Sequence, residues 1–141
     1  MDLRPLTDDY AVSPQIAPAD IPEIAAAGYT TVICNRPDGE IPSDLRAAEI
    51  RRAAEAAGLK FVENPVVGGS LTLDDVSAQA EAIRESNGPV LAYCASGNRS
   101  SIVWALAHAG THPTQDLISI PARHGYNLEP FRQTIEQLAQ R

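Results

Sequence analysis

Cysteine, arginine and serine crowd one short segment, Pro89-Val90-Leu91-Ala92-Tyr93-Cys94-Ala95-Ser96-Gly97-Asn98-Arg99-Ser100-Ser101. The apolar run before Cys94 predicts a buried strand. The residues after it, Ala95, Ser96, Gly97 and Asn98, are small enough for backbone N–H groups to turn inward as an anion-binding nest. The loop closes on Arg99, Ser100 and Ser101, and an apolar helical pattern follows from Ile102 to Ala109. A helix start offers its positive end to the same point. Such a setting favours thiolate over thiol, and comparable sites lower a cysteine pKa from ~8.5 to between ~3.5 and ~7.5. Arg99 adds a planar fork that can grip two oxygens of a tetrahedral anion, and Ser100 is placed to donate to the sulfur. A cysteine at a strand end is ordinarily a small buried hydrophobe. Here the Cys-x-x-Gly-x-Arg-Ser-Ser string, with strand before and helix after, points to a reactive one.

The surrounding pattern must hold that loop. Tyr10 to Ser13 reads as a short strand, and Tyr29 to Cys34 as a buried β-branched one. Leu59 to Val62 reads as a third. Helices are expected from Pro18 to Ala27 with Gly28 as stop, from a Ser43-Asp44 cap to Ala57, and from Thr72 to about Glu85. Others are expected from Pro113 to about Arg123 and from Glu129 to Gln140. Strands alternating with helices predict an α/β domain. The expected architecture is three αβα layers around a central four-stranded, mostly parallel sheet, with residues 1–141 as one domain. In such sheets ligands gather at the carboxyl ends of the strands, where Cys94 falls.

The chain has 141 residues, 44% of them apolar, and a net charge of −7. That length supports a core without staples. Two cysteines make no disulfide framework, which points to a reducing cytoplasm. The start Met1-Asp2-Leu3-Arg4-Pro5 lacks the shape of a signal peptide, and no apolar run reaches a membrane span. Lys60 is the only lysine and basic residues do not cluster, which argues against nucleic acid. No metal-ligand spacing occurs, and covalent chemistry at Cys94 requires neither a metal nor an organic cofactor. An acidic chain repels a small anion, so the site must supply its own positive potential.

These motifs resemble the phosphatase-like domain found fused to, or encoded beside, beta-lactamase-like hydrolases, within the wider rhodanese and cysteine-phosphatase-like group. The resemblance runs from about Val12 to Tyr126. It is carried by Val12-Ser13-Pro14-Gln15-Ile16, Gly28-Tyr29-Thr30-Thr31-Val32-Ile33, Asn35-Arg36-Pro37-Asp38-Gly39-Glu40, the Tyr93 to Ser101 loop and Gly125-Tyr126-Asn127-Leu128. It implies a cysteine-phosphatase-like, rhodanese-related fold. Two residue-level features favour sulfur transfer over phosphatase chemistry. Only four residues separate Cys94 from Arg99, where tyrosine and dual-specificity phosphatases have five, and the tighter loop resembles a rhodanese cradle. Those phosphatases also carry an acid on a loop about thirty residues upstream to protonate the leaving oxygen, and Pro65-Val66-Val67-Gly68-Gly69-Ser70 holds no carboxylate. Asp74 and Asp75 follow, but read as helix-opening residues.

The expected activity is therefore a sulfurtransferase moving sulfane sulfur from thiosulfate or a persulfide to a thiol acceptor through a Cys94 persulfide. The alternatives are a cysteine-dependent phosphatase working through a phosphocysteine, and a non-catalytic persulfide or anion carrier. Because the family sits beside persulfide-oxidising hydrolase-like domains, such a protein is an expected partner. Four further residues are candidates around the pocket. Arg36 either adds charge at the mouth or pairs with Asp38 or Glu40. Cys34 either forms a reversible disulfide with Cys94 or is a core thiol. Ser101 supports the loop, and His124 with Arg123 either lines the far rim or ends a helix. His108, His112 and Trp104 read as ordinary helix residues.

Overall fold

The structure is a computed structural model describing every residue, Met1–Arg141. Five strands form one sheet: β1 (Arg4–Thr7), β2 (Tyr10–Ser13), β3 (Thr31–Cys34), β4 (Lys60–Glu63) and β5 (Val90–Tyr93). Their order is β1-β2-β5-β3-β4. The four strands from β2 to β4 in that order are parallel, and β1 pairs antiparallel with β2 at the edge. The expected four-stranded sheet is thus the parallel part of a five-stranded one. Arg4-Pro5-Leu6-Thr7 escapes a hydrophobicity reading because only Leu6 is buried. A charge and a proline suit an outer strand, where no further ladder must form.

Six α-helices cover the sheet: α1 (Ile21–Ala26), α2 (Ala47–Ala56), α3 (Leu73–Glu85), α4 (Asn98–Ala107), α5 (Thr114–Ala122) and α6 (Arg132–Ala139). Side chains alternate faces along a strand, and this divides the core in two. Tyr10, Val12, Ile33, Val90 and Ala92 face α3 to α6 and pack with Trp104, Leu106, Leu117 and Ile135. Ala11, Val32, Cys34, Leu91 and Tyr93 face α1 and α2 and pack with Ile24, Ile50 and Ala54. Seven of the ten residues of α4 are buried, because α3, α5 and α6 surround it. Such a helix is apolar all round, so its first turn is held firmly against the sheet.

Most helix boundaries follow local chemistry. Thr72 and Asp75 form the reciprocal capping box that opens α3. α2 differs: Ser43–Leu45 make a separate single turn, and α2 begins at Ala47. Its cap is Asp38, whose Oδ1 accepts from the Ala47 N–H at 2.9 Å. Glu129–Phe131 likewise form a separate turn ahead of α6. No helix is long and apolar enough to cross a membrane.

Candidate active site

β5 lies between β2 and β3, so Cys94 emerges at the centre of the sheet's carboxyl edge. Its N–H reaches Ser13 O at 3.4 Å, and Gln15 N–H reaches Ala95 O at 3.3 Å. Gly97 sits at φ +97°, a left-handed value that a side chain disfavours, and caps α4. Its N–H points back to Cys94 Sγ at 3.1 Å. Ser101 holds the same residue from the helix side, its Oγ donating to Gly97 O at 2.8 Å. Asn98 N–H is taken by Ser96 Oγ at 3.2 Å. The N–H groups of Ala95, Ser96, Arg99 and Ser100 find no acceptor within the protein. These are donors available to an oxyanion at a helix start.

Arg99 rises from the first turn of α4. Nη1 donates to Glu40 Oε2 at 2.8 Å and to Val66 O at 2.9 Å, and Nη2 donates to Glu40 Oε1 at 2.7 Å. A guanidinium has five N–H donors. Three are used, and the two left over, on Nε and on the second position of Nη2, share one edge. That edge can bind two oxygens of a tetrahedral anion side by side. The Glu40 carboxylate raises the Arg99 pKa above its ordinary value, with the Cys94 sulfur adding to the effect. Arg99 in turn holds Glu40 below the usual carboxylate range. Glu40 also accepts from Arg36 Nε at 3.3 Å, and Arg36 Nη1 reaches Gln15 Oε1 at 3.2 Å. Arg36 therefore organises the turn after β3 rather than standing free at the mouth.

The expected bond from Ser100 to sulfur is not made. Ser100 Oγ donates instead to Asn35 Oδ1 at 2.9 Å, because it is fully buried on the side of α4 facing the sheet. There it joins a polar cluster that sequence reasoning missed. Gln79, fully buried on α3, accepts from Asn35 Nδ2 and Asn64 Nδ2 at 2.9 Å each and donates to Tyr10 Oη at 3.0 Å. Tyr10 Oη donates to Ser100 O at 3.0 Å. Asn35, Asn64 and Ser100 each sit just past a strand or at a helix start. A polar residue recurring directly after strand ends was the available signal.

Cys34 and Cys94 are both free thiols. Cys34 pairs in register with Tyr93 and belongs to the core under α1 and α2. Its Sγ donates to Arg36 O at 3.3 Å, and burial pushes its thiol pKa up. His124 Nε2 lies 2.8 Å from Pro5 O on the edge strand, and is engaged there rather than in the loop. Asp75 Oδ2 accepts from Thr72 N–H at 3.0 Å within the cap of α3. Beside Arg99 lies a cavity of about 280 Å³ lined largely by apolar groups, among them Val66, Leu71, Ile102, Leu106 and Phe131.

Tyr126 completes the surround. Its Oη donates to Ser96 O at 2.7 Å and accepts from Arg4 Nη1 at 2.7 Å. A Cβ on Gly97 would overlap that hydroxyl, a second reason for glycine there. Burial raises the Tyr126 pKa above its ordinary value.

A parallel sheet, a strand-end cysteine, a nest of N–H groups and an arginine on the following helix define a cysteine-phosphatase-like domain. The chain belongs to the family of the beta-lactamase hydrolase-like protein, phosphatase-like domain, which matches residues 2–111. It is 34% identical over 112 residues to a beta-lactamase hydrolase-like protein of Agrobacterium fabrum, covering 78% of this chain and 26% of that protein. The chain thus spans about a quarter of that relative's length. A crystal structure of a candidate phosphatase from Neisseria meningitidis superposes with a TM-score of 0.84 at 35% identity, over 98% of this chain and 99% of the other. The catalytic core of a PP-IP phosphatase from S. cerevisiae shares the fold alone, with a TM-score of 0.73 at 14% identity, over 95% of this chain and 83% of that one.

These likenesses overturn the sulfurtransferase reading. The residue count between Cys94 and Arg99 misled because count does not set what a loop can hold. With Gly97 left-handed and the first turn of α4 contributing N–H groups, the short loop still presents several donors beside an open guanidinium edge.

Proposed function

We propose that this chain is a cysteine-dependent phosphatase acting on phosphate monoesters. The observation that carries the reading is the free edge of Arg99, held by Glu40 and Val66 O beside the Cys94 loop. Cys94 Sγ attacks phosphorus in line with the ester oxygen, forming the S–P bond as the P–O bond breaks. The N–H groups of the loop and the two remaining donors of Arg99 bind the non-bridging oxygens, whose charge they stabilise as it builds. Water then attacks the phosphocysteine, breaks the S–P bond and releases inorganic phosphate with the Cys94 thiolate restored.

The leaving oxygen has no evident proton donor. Residues 65–71 carry no carboxyl group, Asp74 is exposed in the first turn of α3, Asp75 is committed to its cap, and Glu40 is held ionised by Arg99. The leaving group must therefore be a weak base, and the apolar cavity beside Arg99 suits an aryl or other apolar body. The test is hydrolysis of para-nitrophenyl phosphate by wild type and Cys94→Ser. Wild type is expected to turn over with a phosphocysteine adduct visible by intact mass after rapid acid quench, and Cys94→Ser to be inactive. Absence of Cys94-dependent hydrolysis across aryl phosphates would overturn the proposal.

A further inference from the structure

The Ser96–Gly97 peptide is held at both ends. Its carbonyl accepts from Tyr126 Oη at 2.7 Å, and its N–H points to Cys94 Sγ at 3.1 Å. In a planar trans peptide these two groups point to opposite sides. Whatever holds the oxygen outward therefore holds the N–H inward. Turning this plane over rotates Ser96 ψ and Gly97 φ together, and it carries Gly97 from its left-handed φ of +97° to a value open to any residue, so the inward N–H needs something to hold it. A turned plane would present a carbonyl oxygen to the sulfur and repel an anion.

The hydroxyl that prevents this has its own support. Arg4 Nη1 donates to Tyr126 Oη at 2.7 Å, and the Arg4 guanidinium lies 5.4 Å from the centre of the Tyr126 ring. Asp2 in turn binds Arg4 through Nε and Nη2 at 3.0 and 2.5 Å. A hydroxyl that accepts from a cation becomes a stronger donor. An unbroken chain of hydrogen bonds thus runs from Asp2, just before the edge strand, to the sulfur: Asp2, Arg4, Tyr126, the Ser96–Gly97 peptide, Cys94.

We propose that Tyr126 is a positioning residue whose hydroxyl, polarised by Arg4, clamps the Ser96 carbonyl and so keeps the Gly97 N–H aimed at the nucleophile. The partners of the Tyr126 hydroxyl are Arg4 and the Ser96 carbonyl, not the sulfur. It acts through the peptide it orients, and β1 acts through it. The inference rests on Cys94 being the reactive group.

Tyr126→Phe keeps the buried ring and removes only the hydroxyl. Two readouts independent of turnover are used on the full chain: the rate of Cys94 alkylation by iodoacetamide at pH 7, followed by peptide mapping, and the affinity for orthovanadate. Each is expected to fall about three- to tenfold, the worth of one net hydrogen bond, with the melting temperature essentially unchanged. Arg4→Met, which leaves Tyr126 in place, is expected to shift both the same way by about two- to threefold. Tyr126→Phe retaining wild-type alkylation and vanadate affinity would overturn the proposal. If both readouts fall but wild type hydrolyses no aryl phosphate, the Tyr126 inference stands and the phosphatase reading is the one that fails.

Discussion

Arg99 shows how one side chain divides its donors between structure and chemistry. Glu40 and Val66 O take three N–H groups and leave one edge without an acceptor, the edge that the proposed mechanism gives to substrate. A lysine has three donors and no planar edge, so it cannot supply the five hydrogen bonds that Glu40, Val66 O and a bidentate anion take together. Arg99→Lys is therefore expected to lower kcat/KM for para-nitrophenyl phosphate by at least about a hundredfold despite its retained charge. Activity within about threefold of wild type would remove bidentate clamping from the mechanism. Glu40 allows a prediction about pH. Its folded pKa is depressed by Arg99, so its contribution to stability is present above the unfolded carboxylate value and is lost as pH falls through the folded one. Wild type is expected to lose more melting temperature than Glu40→Gln between pH 5 and about pH 3. Parallel curves for the two proteins would mean the pair adds no stability. Cys94 and Arg99 stand out in the sequence because a single contiguous string contains both. Glu40 does not, because it lies far along the chain and meets Arg99 only through the turn after β3.

Among the elements, the connection from β4 to α3 decides what the substrate must bring under the proposed mechanism. It contains no carboxyl group before the α3 cap, and the cap consumes Asp75. An alkoxide leaves poorly without a proton, whereas a phenolate with conjugate-acid pKa near ~10 or lower can leave unaided. Across substituted phenyl phosphates, kcat/KM is expected to fall steeply as leaving-group pKa rises, and alkyl phosphates are expected to be turned over poorly. A flat dependence would reveal a proton donor. The same elements illustrate what a sequence conceals. The Thr72–Asp75 box is local and readable, and α3 starts where it indicates. The cap of α2 comes from Asp38, nine residues before Ala47, and no local pattern announces it. β1 is hidden for the same reason: its pairing with β2 is a fact about the edge of a sheet, not about its own four residues.

The whole molecule carries a net charge of −7. Its field repels a phosphate dianion at long range, while Arg99 and the loop N–H groups attract it at contact. Salt separates these two ranges, because the Debye length shrinks from about 30 Å at 10 mM to about 8 Å at 150 mM. Adding an inert salt such as sodium acetate over that range is expected to raise kcat/KM about twofold. A steep fall would mean that local attraction dominates association. The two-sided core also has a functional consequence. Cys34 and Tyr93 face α1 and α2, whereas α4, which carries Arg99, packs on the other side. The sheet thus keeps the second thiol in a separate core.

What the sequence determined by itself is local. The alternation of strands and helices, the αβα layering and the loop bearing Cys94 and Arg99 all follow from periodicity and from residues adjacent in the chain. The tertiary structure decided which donors remain free. That depends on Glu40, Val66, Tyr126 and the Asn35–Gln79–Ser100 cluster, brought to one end of the sheet from five separate segments. Residue spacing pointed to sulfur transfer because it measures distance along the chain, while an oxyanion site is made by directions in space. Hydrogen bonds between distant residues set those directions, and only folding brings their partners together.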